Sequence, residues 1–331
     1  MMNQSRAKQT VLVTGAAGFI GSFLCEELLL HQYSVVGVDN FFRGKFENIS
    51  HLLHQDFIIK DMDLSLSLKT QDLHRLIIKH NITIVIHLAA INGTQYFYDQ
   101  PFFVLDQNIK MTQTLLSATL NTPVTYIIYS SSSEVYGNPL VFPTDEEQPI
   151  LLHAYSDRDS YASSKAICEF YMRLFSMQHD LAFLNLRLFN TYGPRMVGTR
   201  YGQVIPEFIQ RLLYEDQFTL LGDGSQTRTF CYVQDTVAAI RALMQKNITG
   251  VLNVGTEHET TILALAKQLH ALEHKKLHLI NLEGRPDDHP RRHPDIRKLL
   301  AILPTLEFTP LKIGLKNTID YYREHHGNST K

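Results

Sequence analysis

The chain has 331 residues, of which 44% are hydrophobic and 19% charged, enough apolar material for a sizeable core and too much for disorder along its whole length. Its formal net charge is -2 at pH 7, and no long basic run stands out, so neither a nucleic-acid backbone nor a membrane surface is an expected partner. Cys25, Cys168 and Cys231 are widely spaced and the sixteen histidines lack any ligand spacing, so neither a disulfide framework nor a metal is expected.

Residues 1–9 are polar and run straight into a strand pattern, with no apolar leader and no later run that could span a bilayer; a cytoplasmic protein is expected. Short runs rich in Val and Ile follow at 10–14, 34–38, 57–60, 82–88, 124–129 and 181–188. Between them, 19–31, 70–79, 101–120 and 161–179 carry apolar residues at helical spacing. Apolar strands alternating with amphipathic helices predict an α/β fold with a Rossmann-like, doubly wound parallel sheet. After residue 190, Gly and Pro break the pattern, so 1–190 is read as a nucleotide-binding domain. Residues 191–230 and 257–331 are read as a smaller substrate-binding lobe, with 231–256 returning to the first domain through a helical pattern at 233–245 and a strand-like one at 251–254.

The first strand runs into Gly15-Ala16-Ala17-Gly18-Phe19-Ile20-Gly21, which opens a helix. Glycines at this junction permit a tight turn and let backbone N–H groups approach a pyrophosphate at the positive helix end. Asp39, with Asn40 beside it, ends the second strand about twenty residues later, where a carboxylate accepts hydrogen bonds from ribose hydroxyls and repels a 2′-phosphate; the expected cofactor is NAD rather than NADP. Asp61 and Met62 follow the third strand, where Asp61 either reaches the adenine edge or is an ordinary polar loop residue. Further on, a serine-rich strand end, Ser130-Ser131-Ser132-Ser133-Glu134, precedes Tyr161-Ala162-Ser163-Ser164-Lys165 on a helix. The four-residue spacing puts phenol and ammonium on one face, and a neighbouring cation lowers a phenol pKa, which makes Tyr161 a candidate base.

Together these residues resemble the extended short-chain dehydrogenase/reductase family, in its nucleotide-sugar epimerase, dehydratase and decarboxylase branch. The resemblance extends to His87-Leu88-Ala89-Ala90, Asn108, the 186–194 segment around Asn190, and the 222–235 segment around Arg228. It implies a nucleotide-diphosphate sugar substrate, a hydride passed from C4 to NAD, Tyr161 taking the 4-hydroxyl proton, Ser132 bonding O4 and Lys165 holding the cofactor ribose. It also implies that Leu88, Ala89, Ala90 and Leu188 line the cofactor cleft with Asn108 among the cofactor residues. On the substrate side it implies that Ser133, Asn190 and Arg228 bind substrate, that Arg285 serves the nucleotide end, and that the chain is a homodimer.

The fate of the C4 ketone depends on the groups beside the sugar ring. The pair Ser133-Glu134 is similar to that of glucuronate decarboxylases and GDP-mannose dehydratases, where dTDP-glucose dehydratases carry Asp-Glu and simple 4-epimerases usually lack a carboxylate. Arg158 and the 286–296 segment also resemble the decarboxylases, whereas 91–98 departs from them. Dehydration, decarboxylation and a simple UDP-hexose 4-epimerisation all stay open. From other classes, Asp39 disfavours a net NADPH-consuming reductase, and a non-catalytic NAD sensor has no need of Ser132, Tyr161 and Lys165 together.

Overall fold

The computed structural model describes residues 8–54, 56–198, 203–215, 217–284 and 289–326. Its centre is a seven-stranded sheet in which every pairing is parallel. The strands are β1 (Thr10–Thr14), β2 (Ser34–Asp39), β3 (Phe57–Asp61), β4 (Ile84–His87), β5 (Tyr126–Ser132), β6 (Ala182–Leu188) and Gly250–Val254. Starting from one edge, the order is Gly250–Val254, β6, β5, β4, β1, β2, β3. The chain therefore reverses its winding between β1 and β4, and in such sheets ligands bind in the crevice that this switch opens at the carboxyl edge.

Helices α1 (Phe19–Leu30), α2 (Thr70–Lys79), α3 (Thr94–Asp99), α4 (Pro101–Thr119) and α5 (Asp159–His179) connect the strands. Burial on both faces explains the continuous apolar runs. On one face Val11, Val13, Ile84, Ile86 and Ile128 pack with Leu24 and Leu28 of α1 and with Val237 and Ile240 of the Val233–Gln245 helix. Leu12, Val36, Val85 and Ile127 meet Leu73, Leu115 and Met172 of α2, α4 and α5 on the other. Residues 233–245 and 250–254 thus share the core of the first 190 residues, with Val254 set against Leu188.

A separate apolar cluster gathers Ile205, Phe208, Leu220, Leu265, Leu269, Leu315 and Ile319 from the Val204–Tyr214, Ile262–Leu272 and Leu311–His326 helices and the Phe218–Leu221 strand. Beside it lies a small sheet whose central strand, Thr227–Thr229, is flanked by Glu259–Thr261 and Arg291–Arg292. Its parallel register sets Arg292 opposite Arg228. Segment 291–295 is held to the main body because the Thr144 N–H donates to the His293 carbonyl and the Asp295 N–H to the Thr144 carbonyl, both at 2.8 Å. No described helix is long and apolar enough to cross a membrane.

Candidate active site

A cleft of about 560 Å³ opens along the carboxyl edge of the sheet and extends to Tyr192, Met196, Phe208, Arg228 and Phe230. Its size is that of a small-molecule site. One end is built by the glycine loop. The Gly15 N–H donates to the Val38 carbonyl at 2.8 Å, so the turn is pinned across the end of β2. Gly15 has φ +71°, and a Cβ on Gly21 would overlap the Gly15 carbonyl oxygen, so no side chain fits there. No side chain caps α1 at Gly18, which leaves its first N–H groups to a ligand. Asp39 accepts from the Ala17 N–H at 2.9 Å and the Phe41 N–H at 2.8 Å. Burial pushes its carboxyl up while these N–H bonds pull it down. An uncapped helix start, a cradle that a Cβ would fill and a carboxylate at the end of β2 fit a dinucleotide.

Gly15, Gly18, Phe19, Ile20, Gly21, Asp39, Asn40, Met62, Leu88, Ala89, Ala90 and Leu188 all line this cleft. Two expected cofactor residues are placed elsewhere. Asp61 is exposed at the end of β3, outside the lining. Asn108 is buried behind it, accepting from the Ile91 N–H at 2.7 Å and donating to the Ile91 carbonyl and the Ser164 hydroxyl, so it braces the loop after β4 against α5. Arg285 lies outside the described residues.

At the middle of the cleft stand Ser132, Ser133, Glu134, Tyr161 and Lys165. Ser132 ends β5, and its hydroxyl accepts the Glu134 N–H at 3.2 Å, which starts a short turn and aims Glu134 across the sheet edge. Helix α5 begins at Asp159, so Tyr161 and Lys165 fall in its first two turns. The phenol ring of Tyr161 stacks on Phe97, with centroids 4.7 Å apart and planes 10° from parallel. Lys165 donates to the Ser130 carbonyl at 2.7 Å, and its ammonium sits 5.7 Å from the Tyr161 ring centre. Burial brings that ammonium down to about 8.

The expectation that Lys165 lowers the phenol needs correction. Burial drives Tyr161 well above its ordinary value, the Glu134 charge pushes the same way, and only a Ser132 hydrogen bond and Arg43 oppose them. Because Lys165 is turned to Ser130, the protein alone keeps the phenol protonated.

Glu134 sits in a cluster that spacing along the chain does not disclose. Its Oε2 accepts from Arg158 Nη1 at 2.9 Å and from Arg292 Nη2 at 3.2 Å. Arg292, only 1% exposed, also donates to the Gly137 carbonyl. Burial alone would raise the Glu134 carboxyl, but Arg292, Arg158, His289 and Arg228 outweigh it and hold the group far below the carboxylate range. Arg228 and Asn190 line the same cleft, and the Asn190 amide donates to the Thr229 carbonyl at 2.9 Å. Behind Ser132, Arg187 makes a buried bidentate pair with Glu169, which also accepts the Ser131 hydroxyl.

The profile of the NAD dependent epimerase/dehydratase family matches residues 11–255. A UDP-N-acetyl-alpha-D-glucosaminuronate decarboxylase of Bacillus cytotoxicus is 35% identical over 325 residues, 96% of this chain and 98% of that protein. UDP-glucuronic acid decarboxylase 1 of Danio rerio is 32% identical over 326 residues, covering 97% of this chain and 75% of that one. Among solved structures, a UDP-glucuronic acid 4-epimerase from Bacillus cereus, in complex with UDP-glucuronic acid and NAD, superimposes with a TM-score of 0.85 at 31% identity, over 96% of this chain and 99% of the other. With a glycine-loop cleft, a Ser132–Tyr161–Lys165 centre and matches along nearly its full length, the chain belongs to the NAD dependent epimerase/dehydratase family.

Proposed function

We propose that this chain acts on a UDP-hexuronate and decarboxylates it after oxidation at C4. The observation that carries this reading is the arginine cluster beside the reacting centre. Two guanidinium groups contact one carboxylate, and Arg228 adds to the same field. A net positive site of this kind favours a second carboxylate, which a C6 acid supplies and a neutral hexose lacks. The same cluster makes Glu134 a weak base, which disfavours the C5 proton abstraction of a dehydratase.

Bound NAD supplies the hydride acceptor and the positive charge of its oxidised nicotinamide. The chain's own groups do the rest. Ser132 and the Tyr161 oxygen hold O4; once the phenol has given up its own proton, which the positive charge of bound NAD would favour, Tyr161 takes and later returns the 4-hydroxyl proton. With C4 a ketone, the carboxylate on C5 is β to it, so the C5–C6 electron pair can pass onto O4 as carbon dioxide leaves. The Ser132 and Tyr161 hydroxyls then face the charge on O4. Asn190 and Arg228 bind the diphosphate, while Asp39 selects a free ribose hydroxyl on the cofactor. Residues 1–190 with 231–256 form the nucleotide half, and 191–230 with 257–331 the substrate lobe.

A second reading, 4-epimerisation of the same acid, is favoured by the similarity to the Bacillus cereus epimerase. Incubation with a panel of UDP-, GDP-, CDP- and dTDP-sugars, read by mass spectrometry, separates the two. Loss of carbon dioxide from UDP-glucuronate supports decarboxylation, an isomer of unchanged mass supports epimerisation, and loss of water or net reduction refutes both.

We also propose a homodimer in the cytoplasm. Ile167, Phe170, Leu174 and Met177 form an exposed apolar stripe along α5, with Phe170 at 55% and Met177 at 72% exposure. A second copy that sets the same helix against it would cover this stripe about a two-fold axis. Light scattering should give a dimer, and Phe170→Asp with Leu174→Asp should give a folded monomer; a wild-type monomer would remove the proposal. Three free, buried cysteines suit a reducing compartment.

A further inference from the structure

Loss of carbon dioxide from a carboxylate consumes a proton. The C5–C6 electron pair remains on the sugar as an enolate, and C5 must gain a proton to restore the ketone. The Tyr161 proton is committed to O4, so this second proton needs another source. His289 stands outside the cleft lining, beside Glu134, which lines it. It is 5% exposed, and its Nδ1 meets the Asn138 side-chain oxygen at 2.6 Å. That contact fixes the neutral tautomer with hydrogen on Nδ1 and a lone pair on Nε2. Nε2 is buried without a hydrogen-bond partner and points toward Glu134, 3.8 Å from its Oε2. A carboxylate facing a lone pair is unfavourable, and facing an N–H it is favourable.

We propose that His289 is a positioning residue that takes up a proton when the carboxylate of a hexuronate enters the arginine cluster, and supplies it through Glu134 to C5 as carbon dioxide leaves. This rests on the uronate reading above. The charged groups facing His289 are Glu134, Arg292, Arg158 and Arg228. With these alone, burial and the three arginines bring the imidazole down to about 3, so it is neutral at pH 7. An incoming carboxylate opposes the arginines and favours the protonated ring. The balance closes: one negative charge enters with the substrate and one proton follows it. When neutral carbon dioxide departs, the pair left on the sugar takes that proton, and His289 is neutral again.

The test is calorimetric titration of the NAD-loaded Tyr161→Phe protein, which cannot start turnover, at neutral pH in buffers of different ionisation enthalpy, with UDP-glucuronate and UDP-glucose as probes. With His289 in place this protein should take up about one proton with UDP-glucuronate and none with UDP-glucose. With His289→Gln added it should bind UDP-glucuronate without uptake, and His289→Gln alone should decarboxylate UDP-glucuronate about ten-fold or more slowly with KM within about two-fold. Uptake that persists in His289→Gln overturns the proposal. So does equal uptake with the two probes when His289 is present, a comparison that decides even if the His289 variant fails to fold. If UDP-glucose binds and UDP-glucuronate does not, the uronate reading itself is what fails, and the proposal falls with it.

Discussion

Replacing Glu134 by Gln tests the electrostatic argument at its centre. The amide oxygen can still accept from Arg158 and Arg292, which stand at 2.9 and 3.2 Å, so shape and bonding are nearly kept. What disappears is the charge, and Arg292 has almost no access to water. Removing one partner of a buried ion pair outright costs about 3–5 kcal/mol. Since the hydrogen bonds persist, the lower end applies, about 3 kcal/mol, or a Tm lowered by about 5 °C. The sign with pH follows from the direction of the shift. The folded carboxyl lies below its ordinary 4.5, so its contribution is complete above that value and fades as pH falls toward the folded one. Thermal unfolding of the two proteins from neutral pH down to about pH 3 should show a steady gap that begins to narrow below about pH 4.5. In single turnovers with UDP-glucuronate, oxidation at C4 should survive, seen as near-ultraviolet absorbance of reduced cofactor, while product formation falls about 10²-fold. An unchanged Tm with full activity would refute both the charge argument and the role given to Glu134.

Tyr161→Phe keeps the stack on Phe97 and should leave stability within about 1 kcal/mol of wild type, yet stopped-flow mixing with substrate should show no reduced cofactor at all. Asp39→Asn should weaken NAD about ten-fold and narrow its advantage over NADP, because the charge that repels a 2′-phosphate is gone; calorimetry with both cofactors reads the ratio. Arg187→Met strands the buried Glu169 and should cost about 3–5 kcal/mol by thermal unfolding, and adding Glu169→Gln should recover part of that loss. A double variant no better than the single would show that packing rather than charge sets the cost.

Much of the architecture is legible because burial on both faces of the sheet writes itself into the strands. The runs at 10–14 and 34–38 coincide with β1 and β2 to within a residue. Where the pattern falls short, the missing signal is polar. The apolar run at 124–129 ends at Tyr129, but β5 continues through Ser132, whose register partner is Leu188, because residues at the carboxyl edge face a ligand rather than a core. Asn108 and Asp61 illustrate a different gap. A side chain amide is equally suited to a cofactor and to a neighbouring backbone, and only the approach of Ile91 within 2.7 Å decides. The Tyr161 environment depends on Phe97 and on where Lys165 turns, neither of which can be had from four-residue spacing.

The least legible part of the site is also the part on which the proposed outcome of the reaction rests. Ser132, Tyr161 and Lys165 sit on β5 and α5, close in sequence and on regular elements, so oxidation at C4 can be read from motifs. The partners of Glu134 lie 24 and 158 residues away. Arg158 precedes α5, and Arg292 is on a two-residue strand too short to show a period. Their meeting depends on the register that sets Arg292 beside Arg228 and on the Thr144 bonds that anchor 293–295. In the proposed reaction, oxidation therefore draws on the central sheet and α5, whereas the fate of the ketone draws on the irregular segments that carry Arg158 and Arg292. On that reading, a change of a few residues in those segments would alter the outcome without disturbing hydride transfer, because the charge proposed to lie beside C5 and the groups proposed to hold O4 are supplied by different parts of the fold.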